Sequence, residues 1–275
     1  MIGPRGPLDP GRGGPQPVLE RRTANMARFY DAMLQGKDNF AEDRELARRL
    51  IAVAPSLPRI LHLNRRFVVQ AMRQMAGLGV TQFLDLGCGL PSTNAAGQVR
   101  RGFAGSVRVV HVDHDPVVVA YGRAHLAEAR RTAVVHADMR DADAVFAADE
   151  TRELVDPSRP VGVLLTAMLH HFPDADDPRG ITRSYMDRLP SRSMLAFSHF
   201  HAPDAPWHME DQARCAENML VAELGSGWFR SRDEIAAFAG GLDPGPQGVR
   251  ALGTWTAGRR TREPPLALCG LAMKP

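Results

Sequence analysis

Phe83-Leu84-Asp85-Leu86-Gly87-Cys88-Gly89 decides the reading of the chain, because an apolar run ends around an acid and passes straight into a G-x-G turn. Glycines at the carboxyl end of a strand let the backbone come close to a ligand, at the edge where doubly wound sheets bind theirs. A structural β-turn is the competing reading of a lone G-x-G. Two details bear on the kind of ligand. Ser92 stands where a dinucleotide fingerprint has its third glycine, and Asp85 precedes the first. A carboxylate there repels a pyrophosphate and suits an ammonium group.

The next apolar run, Val109-Val110-His111-Val112-Asp113, also ends in an acid. Its distance from the glycines is near the ~20 residues at which dinucleotide folds place a ribose ligand, so Asp113 is the expected acceptor for two ribose hydroxyls. His114, next in line, is read either as a group on an adenine face or as a loop histidine. A third run ends at Asp138-Met139. Asp138 is expected to accept from an adenine amino group while a neighbouring backbone N–H meets a ring nitrogen; the alternative is a helix N-cap.

Around these runs, short apolar stretches alternate with helical ones, the pattern of a βαβ series. The spacing predicts strands over Gln82–Leu86, Val107–Val112, Ala133–Ala137, Val161–Thr166 and Met194–Ser198, then an antiparallel hairpin of Val249–Trp255 and Leu266–Met273. The expected fold is therefore α/β, a Rossmann-like, doubly wound, mostly parallel seven-stranded sheet with a C-terminal antiparallel hairpin and an N-terminal helical cap. Residues 1–22 read as a flexible leader, 23–78 as the cap, and 79–275 as the α/β domain with a helical insertion over about 203–248. In the cap, Thr23 reads as a helix N-cap and Gly36 as a stop. Asn39 with Glu42 reads as a capping box for a second helix, and a third runs from about Pro58 to Ala76. The insertion reads as two helices, around Glu210–Leu224 and Arg232–Ala239.

Composition narrows the class. The 275 residues are 44% hydrophobic and 24% charged, ordinary for a soluble globular protein, and disorder is excluded as the main state. The pI of 9.0 carries little weight, since the net charge is only +3 and the basic residues are scattered. Only Lys37 and Lys274 are lysines, a bias expected of a GC-rich coding genome. Cys88, Cys215 and Cys269 form no C-x-x-C pair, which fits a reducing cytoplasm and argues against a zinc knuckle. No apolar signal core or run of ~20 apolar residues is present, so neither secretion nor membrane insertion is expected.

Three acids at three successive strand ends, after a glycine turn, resemble the class I S-adenosylmethionine (SAM)-dependent methyltransferases. More narrowly the chain is similar to a family of actinobacterial SAM-dependent methyltransferases of unassigned substrate. The matching segments include Tyr30-Asp31, Gly36-Lys37-Asp38-Asn39-Phe40, Asn64-Arg65, Gly89-Leu90-Pro91, Asp115-Pro116, Leu169-His170 and Ser198-His199. One departure is Gly97-Gln98, where His-Glu is expected. The resemblance implies SAM as cofactor and S-adenosyl-L-homocysteine as product. It also implies that the N-terminal helices fold over the SAM pocket, with Tyr30, Lys37, Asn64 and Arg65 on its open side. Arg65 is then a candidate for the methionyl carboxylate, as a charge-assisted fork, against the reading of a surface arginine. Asp85, Gly87, Gly89, Asp113, His114, Asp138, Met139 and Thr166 complete the expected cofactor-binding set.

The fourth and fifth strands end in Leu169-His170-His171 and Ser198-His199-Phe200-His201. A general base, a metal site and hydrogen-bonded loop histidines are the competing readings. No ligand spacing fixes a metal. His170 is the first choice as general base, followed by His171 and His199. Neither an Asn/Asp-Pro-Pro-Tyr motif nor a Pro-Cys nucleophile is present, which disfavours a base-flipping nucleic-acid enzyme and leaves a small-molecule methyl acceptor and direct displacement. Trp207, Met209, Met219 and Trp228 are candidates for that acceptor's pocket. The alternatives are a non-catalytic SAM-binding protein and a nicotinamide-dependent oxidoreductase.

Overall fold

Seven strands hydrogen-bond in the order β3-β2-β1-β4-β5-β7-β6 in the computed structural model, which describes residues 23–91, 107–128, 130–204, 207–257 and 265–275. The strands are β1 (Gln82–Leu86), β2 (Arg108–Asp113), β3 (Thr132–His136), β4 (Gly162–Thr166), β5 (Met194–Phe200), β6 (Arg250–Ala251) and β7 (Ala267–Met273). β1 pairs in parallel with both β2 and β4. Chain order therefore reverses direction between β1 and β4, and the crevice at such a switch point is where open α/β sheets bind ligands. Every residue of β1 is buried, as a strand covered on both faces requires. β7 runs antiparallel to β5, closing the sheet as the sequence predicts.

The Gly97-Gln98 departure and Ser92 lie outside the described residues. So do residues 1–22 and the connection leading into β7. The expected hairpin strand Val249–Trp255 is corrected: only Arg250 and Ala251 pair with β7, and Leu252–Ala257 is a helix. Leu252 is buried and Trp255 meets Phe67 edge to face at 5.2 Å, so the apolar residues at three-residue spacing pack on a neighbouring helix instead of extending the sheet.

Three helices precede the sheet: α1 (Met26–Met33), α2 (Ala41–Val53) and α3 (Leu57–Gly77). Asn25, two residues beyond the expected Thr23, caps α1 by accepting from the Ala27 and Arg28 N–H groups. Asp43, one residue beyond the expected Glu42, provides the reciprocal contact for α2. Its buried carboxylate accepts from the Phe40 and Asn25 N–H groups and from Arg28 Nε at 2.8 Å, which locks α1 to α2. The Gly36–Phe40 segment wraps around a second buried acid, Asp31, which accepts from the Asp38 N–H and Asn39 Nδ2. This segment thus sets the turn between two helices. α3 buries Ile60, Leu61, Phe67, Val68, Met72 and Met75 in a core shared with β1, β4 and β5.

The Trp207–Leu224 helix lies beside α2, and Ser231 with Glu234 caps the Arg232–Ala236 helix reciprocally. No described helix is long and apolar enough to cross a membrane.

Candidate active site

Gly87 and Gly89 adopt φ of 72° and 64°, a region that favours glycine. At Gly87 the packing demands it as well, because a Cβ would come within 2.2 Å of Met168 Sδ. The Gly87 and Cys88 N–H groups both donate to Val112 O, folding the turn over the end of β2. Asp113 then ties the two strand ends together. Its Oδ2 accepts from the Gly89 N–H and its Oδ1 from the Asp115 N–H, each at 3.0 Å. Burial raises its pKa, opposed by those two N–H groups. Each oxygen retains lone-pair capacity for a further donor.

Asp85 Oδ2 sits 2.8 Å from Nδ1 of the fully buried His111. Asp138 has a different environment: Arg140, two residues on, grips both its oxygens and holds its carboxyl below the usual range. The His114 side chain is 80% exposed, with Nδ1 3.7 Å from Asp113 Oδ1.

These residues line one cavity of about 400 Å³. Its sheet-side wall holds Asp85, Gly87, Gly89, Asp113, His114, Asp138, Met139 and Thr166. The helical side brings Asn25, Tyr30, Asn64, Arg65 and Val68. Of the residues expected around the cofactor, all but Lys37 therefore meet around one space. Lys37 is exposed and stands off it. The Arg65 guanidinium makes no hydrogen bond or ion pair among the described residues, although it is half-buried in the wall. A ligand with a nucleoside, an ammonium and a carboxylate matches this donor set: paired acceptors at Asp113, an anion at Asp85 and an unpaired cation at Arg65.

The histidines part company. A left-handed residue, Ala167, follows β4 and leads into a 3-10 turn over Leu169–His171. His171 reaches the cavity, with Nδ1 3.0 Å from Ser226 Oγ. His170 turns inward, stacked on Phe200 at 4.0 Å, with its Nδ1 buried and unpartnered among the described residues. His199 is a brace: Nδ1–H donates to Phe200 O, and Nε2 accepts from Arg230. Arg230 also holds Asp174 and the Leu169 and Phe172 carbonyls. Burial lowers all three imidazoles, His171 to about 4, His199 to about 3, and His170 well below its ordinary value. No metal-holding group of three or more His, Cys, Asp or Glu residues occurs among the described residues.

Met209, Met219 and Trp228 are not among the cavity's lining residues, and Met209 belongs to the apolar core; the expectation for the Trp207 side chain lies outside the described residues. The insertion contributes Leu224 and Ser226 instead. Sequence reasoning missed Ser226, Met168, Phe172 and Arg140. The last three flank residues already singled out, whereas Ser226 carries no signal beyond its Gly-Ser-Gly setting.

Strand order, the closing antiparallel strand and the cavity at the switch point define a Rossmann-like, class I SAM-dependent methyltransferase. The chain belongs to the S-adenosyl methyltransferase family, whose model matches residues 13–275. It is similar to a Streptomyces avermitilis MA-4680 protein of the DUF574 family, with 32% identity over 93% of this chain and 99% of that one and a TM-score of 0.82. A Thermobifida fusca YX protein, provisionally assigned as a methyltransferase, shares 33% identity over 92% of this chain and 95% of that one, with a TM-score of 0.79. Human N-acetylserotonin methyltransferase, solved with SAM, shares the fold at 13% identity and a TM-score of 0.52, over 92% of this chain and 64% of that one. No curated protein matches the chain.

Proposed function

We propose that this enzyme transfers the SAM methyl group to an oxygen or nitrogen of a small-molecule acceptor, approaching along the wall formed by Tyr30, Met168, His171 and Ser226. The observation that carries the reading is the shared cavity in which the strand-end acids face α1 and α3. Asp113 would accept from both ribose hydroxyls, and Asp85 would face the ammonium. Asp138 would accept from the adenine amino group beside the Met139 N–H, and Arg65 would meet the carboxylate. When bound, SAM supplies a methyl on a sulfonium that needs no further activation. The chain's task is alignment and management of the acceptor's proton.

His171 is the residue for that proton. Its ring is neutral near pH 7, its Nδ1 is engaged with Ser226, and Nε2 remains for the acceptor. An imidazole lowered to about 4 is a weak base, so it orients an acidic acceptor, such as a phenol, more than it strips a reluctant one. None of the three cysteines forms a disulfide among the described residues, which fits a cytoplasmic setting.

The experiment is an incubation with methyl-tritiated SAM and, in separate vessels, a low-molecular-weight extract, DNA, RNA and total protein. Label entering only the first supports the reading. Label entering a macromolecule refutes it.

A further inference from the structure

The hydrogen bonds behind Tyr30 run in one direction. The Ala167 N–H, which can only donate, lies 2.8 Å from Ser198 Oγ. Ser198 accepts there, and its own proton goes to Asn64 Oδ1 at 2.6 Å. That fixes the carboxamide, so Asn64 Nδ2 points the other way and donates to the Tyr30 hydroxyl at 3.2 Å. With the amide turned over, the buried Ser198 proton would lose its acceptor, which buried hydroxyls rarely tolerate. The chain crosses four elements, from the end of β4 through β5 and α3 to α1.

Tyr30 stands at the end of this chain. Its oxygen accepts from Asn64, so its proton remains to be given away, and its side chain lines the cavity together with Arg65. Burial pushes the phenol up to about 12, against smaller opposing effects from Asn64 and Arg65, so it keeps that proton at neutral pH. A charged fork and a hydroxyl compelled to donate, on one wall, make an anion site.

We propose that Ser198 and Asn64 are positioning residues that hold the Tyr30 hydroxyl as a donor, completing with Arg65 a carboxylate subsite for the amino-acid end of the cofactor. This rests on the cofactor reading above. A carboxylate on the acceptor has the same chemistry, and the two sources separate in a binding experiment with two compounds. S-adenosylhomocysteine carries the carboxylate. 5′-Methylthioadenosine keeps the nucleoside and sulfur and lacks the amino acid.

Calorimetry on the full chain is expected to show Tyr30→Phe weakening S-adenosylhomocysteine about tenfold, the scale of one lost hydrogen bond, while 5′-methylthioadenosine stays within about twofold. Ser198→Ala should weaken the first compound selectively, by about threefold, since Asn64 is then free to turn, and Ser198→Thr should restore it. Asn64→Ala should lose little further in a Tyr30→Phe background. Melting curves of the unliganded variants check that each is folded.

Equal weakening of both compounds by Ser198→Ala, or additive losses with Tyr30→Phe, would assign the chain to packing and overturn the proposal. Unchanged binding of S-adenosylhomocysteine by Tyr30→Phe would overturn the assignment of the subsite to the cofactor. Failure of the folded wild type to bind either compound would instead overturn the cofactor reading itself.

Discussion

Asp113→Ala removes a carboxylate that holds two backbone N–H groups and, in the proposed site, two ribose hydroxyls. Hydrogen bonds to a charged acceptor contribute about 1.5–3 kcal/mol each, so two lost ligand bonds cost at least about 3 kcal/mol. At about 1.4 kcal/mol per factor of ten, affinity for S-adenosylhomocysteine should fall by roughly two orders of magnitude. A second effect is separable from the first. The Gly89 and Asp115 N–H groups, each 3.0 Å from the carboxylate, lose their partner. Each orphaned donor costs about 1–3 kcal/mol where water cannot replace it, so the melting temperature of the unliganded variant should drop too. Asp113→Asn should behave similarly, because its NH2 group must face one of those two donors. The assay is calorimetry with S-adenosylhomocysteine at fixed salt, beside thermal melts without ligand. A variant that melts earlier yet binds with unchanged affinity would show that Asp113 holds the glycine turn and nothing more.

Other substitutions test the rest of the site. His171→Ala should cut turnover by about 10²-fold or more with S-adenosylhomocysteine affinity nearly intact, whereas His170→Phe, which keeps the stack on Phe200 and discards a buried unpartnered Nδ1, should leave both turnover and affinity near wild type; the reverse pattern would return the base to His170. The acid limb of kcat/KM should fall near the lowered His171 value of about 4, so a limb close to 6.5 would contradict that assignment. Stability should decline with acid. His170, His171 and His199 are held neutral when folded but take up protons when unfolded, so the unfolded chain binds more protons between their folded values and about 6.5. These three groups together contribute a loss of up to about 4 kcal/mol per pH unit in that window, visible as urea midpoints that fall from pH 7 to pH 5 and fall less in His170→Phe. Gly87→Ala must adopt φ near 72° with its Cβ against Met168, so weaker ligand binding and a lower melting temperature are expected, and wild-type values for both would refute the turn's role.

The edge acids were legible in the sequence because a parallel βαβ unit delivers every strand's carboxyl end to the same side. Asp85, Asp113 and Asp138 had to meet once the strands paired. The histidines were not legible in this way. Ala167 in a left-handed conformation, followed by a 3-10 turn, decides that His171 reaches the cavity and His170 enters the core, and no spacing rule announces that turn. Val249–Trp255 misled for a related reason. Its apolar residues suit either a strand or a helix, and α3 offers Leu252 and Trp255 a surface that local propensity cannot reveal. Ser226 came from an insertion whose apolar residues drew attention, while the end of its Trp207–Leu224 helix and the short loop that follows reached the site.

A crystal structure with S-adenosylhomocysteine tests the central claim most directly. The account predicts the ribose on Asp113, the carboxylate against Arg65 and Tyr30, and the sulfur facing the wall of Met168, His171 and Ser226, with His170 remaining behind it. A ligand whose ribose lies away from Asp113, or whose sulfur faces a wall without His171, would contradict it.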